Sequence, residues 1–311
     1  MKANLFSKPA VLWLTAGVCC LLWGSAFPAI PMGYKLFSIK SDDTMSIILF
    51  AGIRFFLAGL LSLILFSAVH KKFLTVKKSS VKNVCVLSVF QTVLQYVFFY
   101  LGLAFTTGER ASVINATSVF FALLISTFLF KFEKLNAGKI IGCLLGFSGI
   151  VLISINGLTS KEGISLTGEM FILFSSISYA FSSVFMKKFS ANEKPEVLSA
   201  YQFMLGGAVM IVFGLAFGGR IQHISIQGAV LILYLAFVSA AAYSLWSILL
   251  KYNDVSKVAV CGFMTPIFGF FLSAFFSSSV SQIGFSAVFS LVLVVVGIIA
   301  VNIPSKRLLK K

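Results

Sequence analysis

Acidic side chains are scarce in this 311-residue chain: nine Asp and Glu stand against 25 Lys and Arg, and charged residues make up only 11% of positions. A soluble domain carries roughly a quarter charged residues, so that class is excluded. Histidine is rarer still, with only His70 and His223, both between apolar runs. With no nucleophile–base combination, no paired carboxylates and none of the common catalytic motifs, the chain is not expected to be an enzyme. The five cysteines, Cys19, Cys20, Cys85, Cys143 and Cys261, lie inside apolar runs without metal-ligand spacing. They read as free thiols used as small apolar residues, and no metal or other cofactor is expected.

What fills the chain instead is apolar. Hydrophobic residues account for 59% of it, including 35 Phe, and a membrane span needs ~20 mostly apolar residues. Ten such runs are predicted: Ala10–Ile30, Met45–Val69, Val84–Phe105, Ala111–Phe130, Lys139–Ile155, Leu166–Met186, Val197–Phe217, Ile226–Leu250, Val258–Ser277 and Phe285–Ile303. The first is too long for a secretory signal and continues through Phe27-Pro28-Ala29-Ile30-Pro31, so it counts as a span. The connections are short and leave no room for a sizeable soluble domain.

The net charge of +16 invites a nucleic-acid reading until the charges are placed. If the N-terminus is cytoplasmic, 19 of the 25 basic residues fall on that side and Lys35, Lys40, Arg110, Lys161 and Arg220 on the other, with Arg54 inside a span. That is the positive-inside bias, and it puts both termini in the cytoplasm of a cell (inner) membrane protein. Scattered over six short segments, the lysines form no groove, so no nucleic-acid partner is expected; the partners are the bilayer, with anionic headgroups attracted secondarily, and a small-molecule substrate.

The chain also repeats itself. Arg54-Phe55-Phe56-Leu57-Ala58-Gly59 is echoed 148 positions on by Gln202-Phe203-Met204-Leu205-Gly206-Gly207. At the same offset Ser118-Val119-Phe120 meets Pro266-Ile267-Phe268, and Gly149-Ile150 meets Gly297-Ile298. Each half holds five spans; five is odd, so the second copy must enter the membrane from the opposite face. Inverted halves mark an alternating-access carrier with its substrate near mid-membrane between the repeats. The halves are placed at residues 1–157 and 158–311.

Several of these segments resemble the drug/metabolite transporter superfamily, specifically its ten-span EamA-type members. They are Trp23-Gly24-Ser25-Ala26-Phe27, Ile53-Arg54-Phe55, Thr265-Pro266-Ile267-Phe268 and Gly297-Ile298-Ile299. The resemblance runs from Val11 to Asn302. It implies an all-α membrane protein with ten transmembrane helices, arranged as two inverted five-helix repeats around a central cavity, exporting small metabolites such as amino acids; some members import. The family's span-4 proline is replaced here by Thr117-Ser118. Its acid after span 4 is matched by Glu133, whereas the place after span 9 reads Ser277-Ser278-Ser279.

Arg54 is the strongest single candidate for binding. Near the middle of a span a guanidinium costs at least ~2.5 kcal/mol unless it faces protein or water. It either attracts a carboxylate or phosphate of the substrate or holds backbone carbonyls between spans. Gln91 and Gln95 share one helical face, with Tyr96 beside them, and two amides among apolar residues need partners or a cavity. Asn115 follows as the best polar residue of span 4. Trp23, Ser25, Tyr179, Tyr243, Trp246 and the kink-forming Pro266 complete the expected substrate-binding set; Trp13 is assigned to the interface. Gly142-x-x-x-Gly146 and Gly214-x-x-x-Gly218 are expected to pack helices. No acid lies deep in a span, which argues against a proton-driven exporter of cations and for a facilitator of neutral, zwitterionic or anionic compounds. The function read from the sequence is export of a small polar or zwitterionic metabolite by a monomer or weak homodimer. Uptake (of a nucleoside derivative, for example) and lipid-carrier flipping are the alternatives.

Overall fold

The computed structural model describes residues 5–154, 165–276 and 285–302. Within them the chain forms ten apolar helices: α1 (Pro9–Leu36), α2 (Thr44–Val69), α3 (Lys78–Leu103), α4 (Arg110–Leu129), α5 (Ala137–Ile153), α6 (Leu166–Phe189), α7 (Pro195–Ala216), α8 (Ile226–Tyr252), α9 (Val255–Ser273) and α10 (Phe285–Asn302). Nine are long enough to cross a bilayer; α5, with 17 residues, is the short one. The predicted tract Ser277-Ser278-Ser279, the ends Ile155, Ser277 and Ile303 of three predicted spans, and the residue-157/158 junction lie outside the described residues.

Polar residues set where the helices begin. The Asp43 carboxylate accepts from the Ser46 amide (3.0 Å) and hydroxyl (2.6 Å) at the start of α2, and Asn136 accepts from the Lys139 amide (2.9 Å) at the start of α5. Ser165 and Ser225 do the same for α6 and α8, while α1 and α7 open with proline at their first position, where a missing N–H costs nothing. These caps lie just outside the apolar runs, so the spans start close to the predicted places.

The helices pair symmetrically. α2 packs on α7 and α5 on α10; α3 packs on α6 as α8 does on α1, and α4 packs on α6 as α9 does on α1. Exchanging the five helices of one half for those of the other leaves this pattern unchanged, as a two-fold axis in the membrane plane requires of inverted repeats. The chain is therefore an all-α, multi-pass membrane protein built of two inverted five-helix repeats.

Small residues let these pairs close. A Cβ on Gly142 would lie 2.5 Å from the Gly297 carbonyl oxygen, and one on Gly297 2.6 Å from the Gly142 oxygen, so α5 and α10 touch backbone to backbone. A Cβ on Gly207 would lie 2.4 Å from the Phe56 amide nitrogen across α2 and α7. Without water to drive apolar burial, such close approach is the main source of helix adhesion in lipid. Gly218 departs from the expectation of helix packing. It has nothing within 4 Å and a φ of +91°, and so ends α7 in a conformation that side chains resist.

Candidate substrate site between the repeats

Phe55 and Phe203, equivalent positions of the two repeats, stack face to face with ring centroids 5.3 Å apart and planes 6° from parallel. Both are fully buried, on α2 and α7 where the halves meet. From this stack the rings spread into each half. Tyr96 of α3 lies 4.3 Å from Phe55, Tyr243 of α8 lies 4.9 Å from Phe203, and the two tyrosine hydroxyls share a hydrogen bond of 2.6 Å. Trp23 of α1 meets Tyr243 and Trp246 edge-on at 4.9 and 5.0 Å. Each such ring pair adds ~0.5–1.5 kcal/mol beyond simple burial. In this conformation these rings pack against one another between the repeats. The two pockets described lie elsewhere: one of about 360 Å³ beside Val84, Tyr201 and Met204, the other of about 450 Å³ beside Lys187, Lys188 and Lys251.

Several buried polar atoms on the helices that carry these rings have no partner. Arg54 is only 5% exposed, and its Nε and Nη1 have no hydrogen-bond partner. Ten residues into α2, it lies ~15 Å along the helix from its start, whereas every described Asp and Glu stands in a connection, at a cap or in a first helical turn. Around the guanidinium are the Phe55 ring, 4.5 Å from Cζ, and the hydroxyls of Tyr34, Tyr96, Tyr100 and Tyr243 within electrostatic range. Trp23 Nε1, Gln91 Oε1, Gln95 Oε1, Gln202 Nε2 and Ser239 Oγ are likewise buried and unpaired. Buried polar groups almost always find partners, and here the exceptions come from helices of both repeats.

The backbone near these groups is irregular. Within α3, residues Ser88–Leu94 form a π-helical stretch that contains Gln91; such bulges recur at functional sites. Serines of α6 satisfy carbonyls in and beside it: Ser178 donates to the Phe90 oxygen and Ser175 to the Gln95 oxygen, both at 2.7 Å. α9 contains a 3₁₀ turn at Val260–Phe263, just ahead of Pro266, because proline removes one N–H and crowds the carbonyl four residues back. α4 is interrupted at the equivalent place without a proline. There the Thr117 hydroxyl bonds the Ile114 carbonyl at 2.5 Å, competing with the helix for that acceptor. Pro28 and Pro31, by contrast, sit inside a continuous α1.

Of the residues singled out from the sequence, Trp23, Arg54, Gln95, Tyr96, Tyr243 and Trp246 come together in one cluster, and Tyr179 is in electrostatic reach of Tyr96. Gln91 lies in the π-helical stretch beside Thr92, whose hydroxyl donates to Gln202 at 2.7 Å. Three lie apart. Ser25 bonds Tyr234 at 2.6 Å near the lipid-facing surface, because it is two residues, half a helical turn, from Trp23. Asn115 meets Ser176 on α6 at 3.4 Å, and Pro266 shapes α9. Phe55, Phe203, Tyr34 and Tyr100 join the same group of rings without being candidates from the sequence. The first two occupy matched places in the repeat and Tyr100 stands four residues after Tyr96, whereas no pattern marks Tyr34.

On the lysine-rich side an ionic knot joins the halves. Glu133, after α4, bonds Lys139 of α5 and accepts from the hydroxyl and amide of Ser256 at the start of α9, the amide at 3.1 Å. Asp254 lies 3.7 Å from Lys139 and 3.6 Å from Lys257.

Ten apolar helices in inverted halves, with unpaired polar groups where the halves meet, define a membrane transporter of small molecules. The chain belongs to the EamA-like transporter family, within the drug/metabolite transporter superfamily, and the family's model matches it twice, over residues 10–155 and 166–303. An "uncharacterized transporter" of Archaeoglobus fulgidus is 29% identical over 82% of this chain and 85% of its own length. A second uncharacterized transporter, from Acidianus ambivalens, is 30% identical over 70% of this chain and 79% of its own. A "probable amino-acid metabolite efflux pump" of Salmonella typhimurium is 26% identical over 56% and 62%. A solved crystal structure shares the fold over 97% of this chain and 99% of its own, with a TM-score of 0.77 at 16% identity.

Proposed function

We propose that this protein exports a small polar or zwitterionic metabolite, an amino acid or a related compound, by alternating access. It would do so across the cell (inner) membrane, with the lysine-rich side and both termini in the cytoplasm. The halves 1–157 and 158–311 are the units that rock, and the substrate is held by Trp23, Arg54, Gln91, Gln95, Tyr96, Tyr179, Tyr243 and Trp246. One observation carries this reading: buried polar atoms of both repeats, among them Arg54 Nε and Nη1 next to Phe55 and Gln202 Nε2 next to Phe203, have no hydrogen-bond partner where α2 meets α7. A carrier must leave such groups available, because its substrate has to replace the hydrogen bonds it gave up to water. Similarity to the probable efflux pump of Salmonella supports the direction, and the lysine distribution supports the orientation.

Metabolite profiles of medium and cytoplasm, compared between cells with and without the gene, test the proposal. Export predicts a small polar compound enriched in the medium of expressing cells. Depletion of such a compound from their medium would establish uptake instead, and a change confined to lipids would replace this reading with flipping.

A further inference from the structure

Arg54 bears on which metabolites can enter. Resting on the carrier reading above, we infer that Arg54 is the specificity-determining residue of the site. It takes an anionic group of the substrate, a carboxylate or a phosphate, with the hydroxyls of Tyr96 and Tyr100 completing the contact. An arginine that served only to tie backbone carbonyls would have its nitrogens bonded to them, yet Nε and Nη1 are both unbonded. Each of these atoms shares one edge of the planar guanidinium with Nη2, Nε on its side and Nη1 at its end, and either edge is a fork that meets a planar anion in two parallel hydrogen bonds.

The surroundings fit the same ligand. The Phe55 ring offsets part of the charge from one face without using an N–H. The hydroxyls of Tyr96 and Tyr100 can each donate one hydrogen bond to an oxyanion, and that of Tyr96 would give up the bond it shares with Tyr243 to do so. The repeat is asymmetric here: the equivalent of Arg54 is the uncharged Gln202, whose Oε1 already receives the Thr92 hydroxyl at 2.7 Å. The site thus holds one positive charge, suited to one anionic group, and it repels a compound whose only charge is positive.

Proteoliposomes holding the full-length protein and loaded with a uniformly ¹³C-labelled extract of cell metabolites provide the test, with efflux followed by mass spectrometry. Compounds carrying a carboxylate or a phosphate should leave the wild-type vesicles. Whether the escaping set consists of carboxylates or of phosphate monoesters identifies the anion. Arg54→Gln should slow their efflux about tenfold or more, and Arg54→Lys, which keeps the charge but loses the fork, should fall between. If wild-type vesicles release neutral and cationic metabolites as readily as anionic ones, the inference about Arg54 fails while the carrier reading stands. Release of nothing at all would overturn both. The wild-type pattern alone decides these outcomes should Arg54→Gln not fold.

Discussion

Single side chains divide here into those the sequence exposes and those it hides. Arg54 stands out in any reading because a charge amid apolar residues has no ordinary place. Glu133 is marked in the sequence only by its match to the family's acid after span 4, yet it is 9% exposed and is bonded by Lys139, itself 4% exposed, and by Ser256, 123 residues away. Its partner across the fold is not legible from any local pattern. Removing one member of a buried ion pair leaves the other uncompensated, at a cost of ~3–5 kcal/mol. Glu133→Gln should therefore lower the melting temperature of the purified protein strongly, and Glu133→Gln combined with Lys139→Met should recover most of that loss. Equal melting of the single variant and the wild type would show that the knot contributes nothing to stability. Ser25 shows the opposite limit. Neighbours in a motif need not share a face, and half a turn separates it from Trp23.

At the scale of the helix, existence was legible and interruption was not. Length and hydropathy place every span, because lipid demands an unbroken apolar run and satisfied backbone groups. The breaks follow subtler causes. Pro266 announces the turn in α9, but Thr117 interrupts α4 through a side-chain hydrogen bond, and the π-helical stretch of α3 has no composition signal. The close contact of α5 and α10 is a helix-scale property too. Gly142 and Gly297 each present a carbonyl oxygen where the other's Cβ would stand, so Gly297→Leu should force the pair apart. Lower yield of folded protein and a lower melting temperature are expected, whereas the same change at Gly17, which has nothing within 4 Å, should be tolerated. If both variants melt alike, helix approach at Gly297 is not what joins the pair.

The whole molecule follows from duplication. An odd number of spans per copy forces inversion, inversion generates a two-fold axis, and the axis passes where Phe55 stacks on Phe203. That stack was readable in retrospect from the echo between residues 54–59 and 202–207. The cluster of rings that spreads from it was not, since residue spacing says which groups share a face and not how large rings nest. Alternating access requires this packed interface to part toward one side and then the other. Labelling of a Gln95→Cys variant with a membrane-impermeant thiol reagent, in a background with the five native cysteines replaced, measures that directly. Reaction from each side of the membrane in turn, slowed by a transported metabolite, is the predicted result. A cysteine at this position that reacts from one side only, or from neither, would contradict the account.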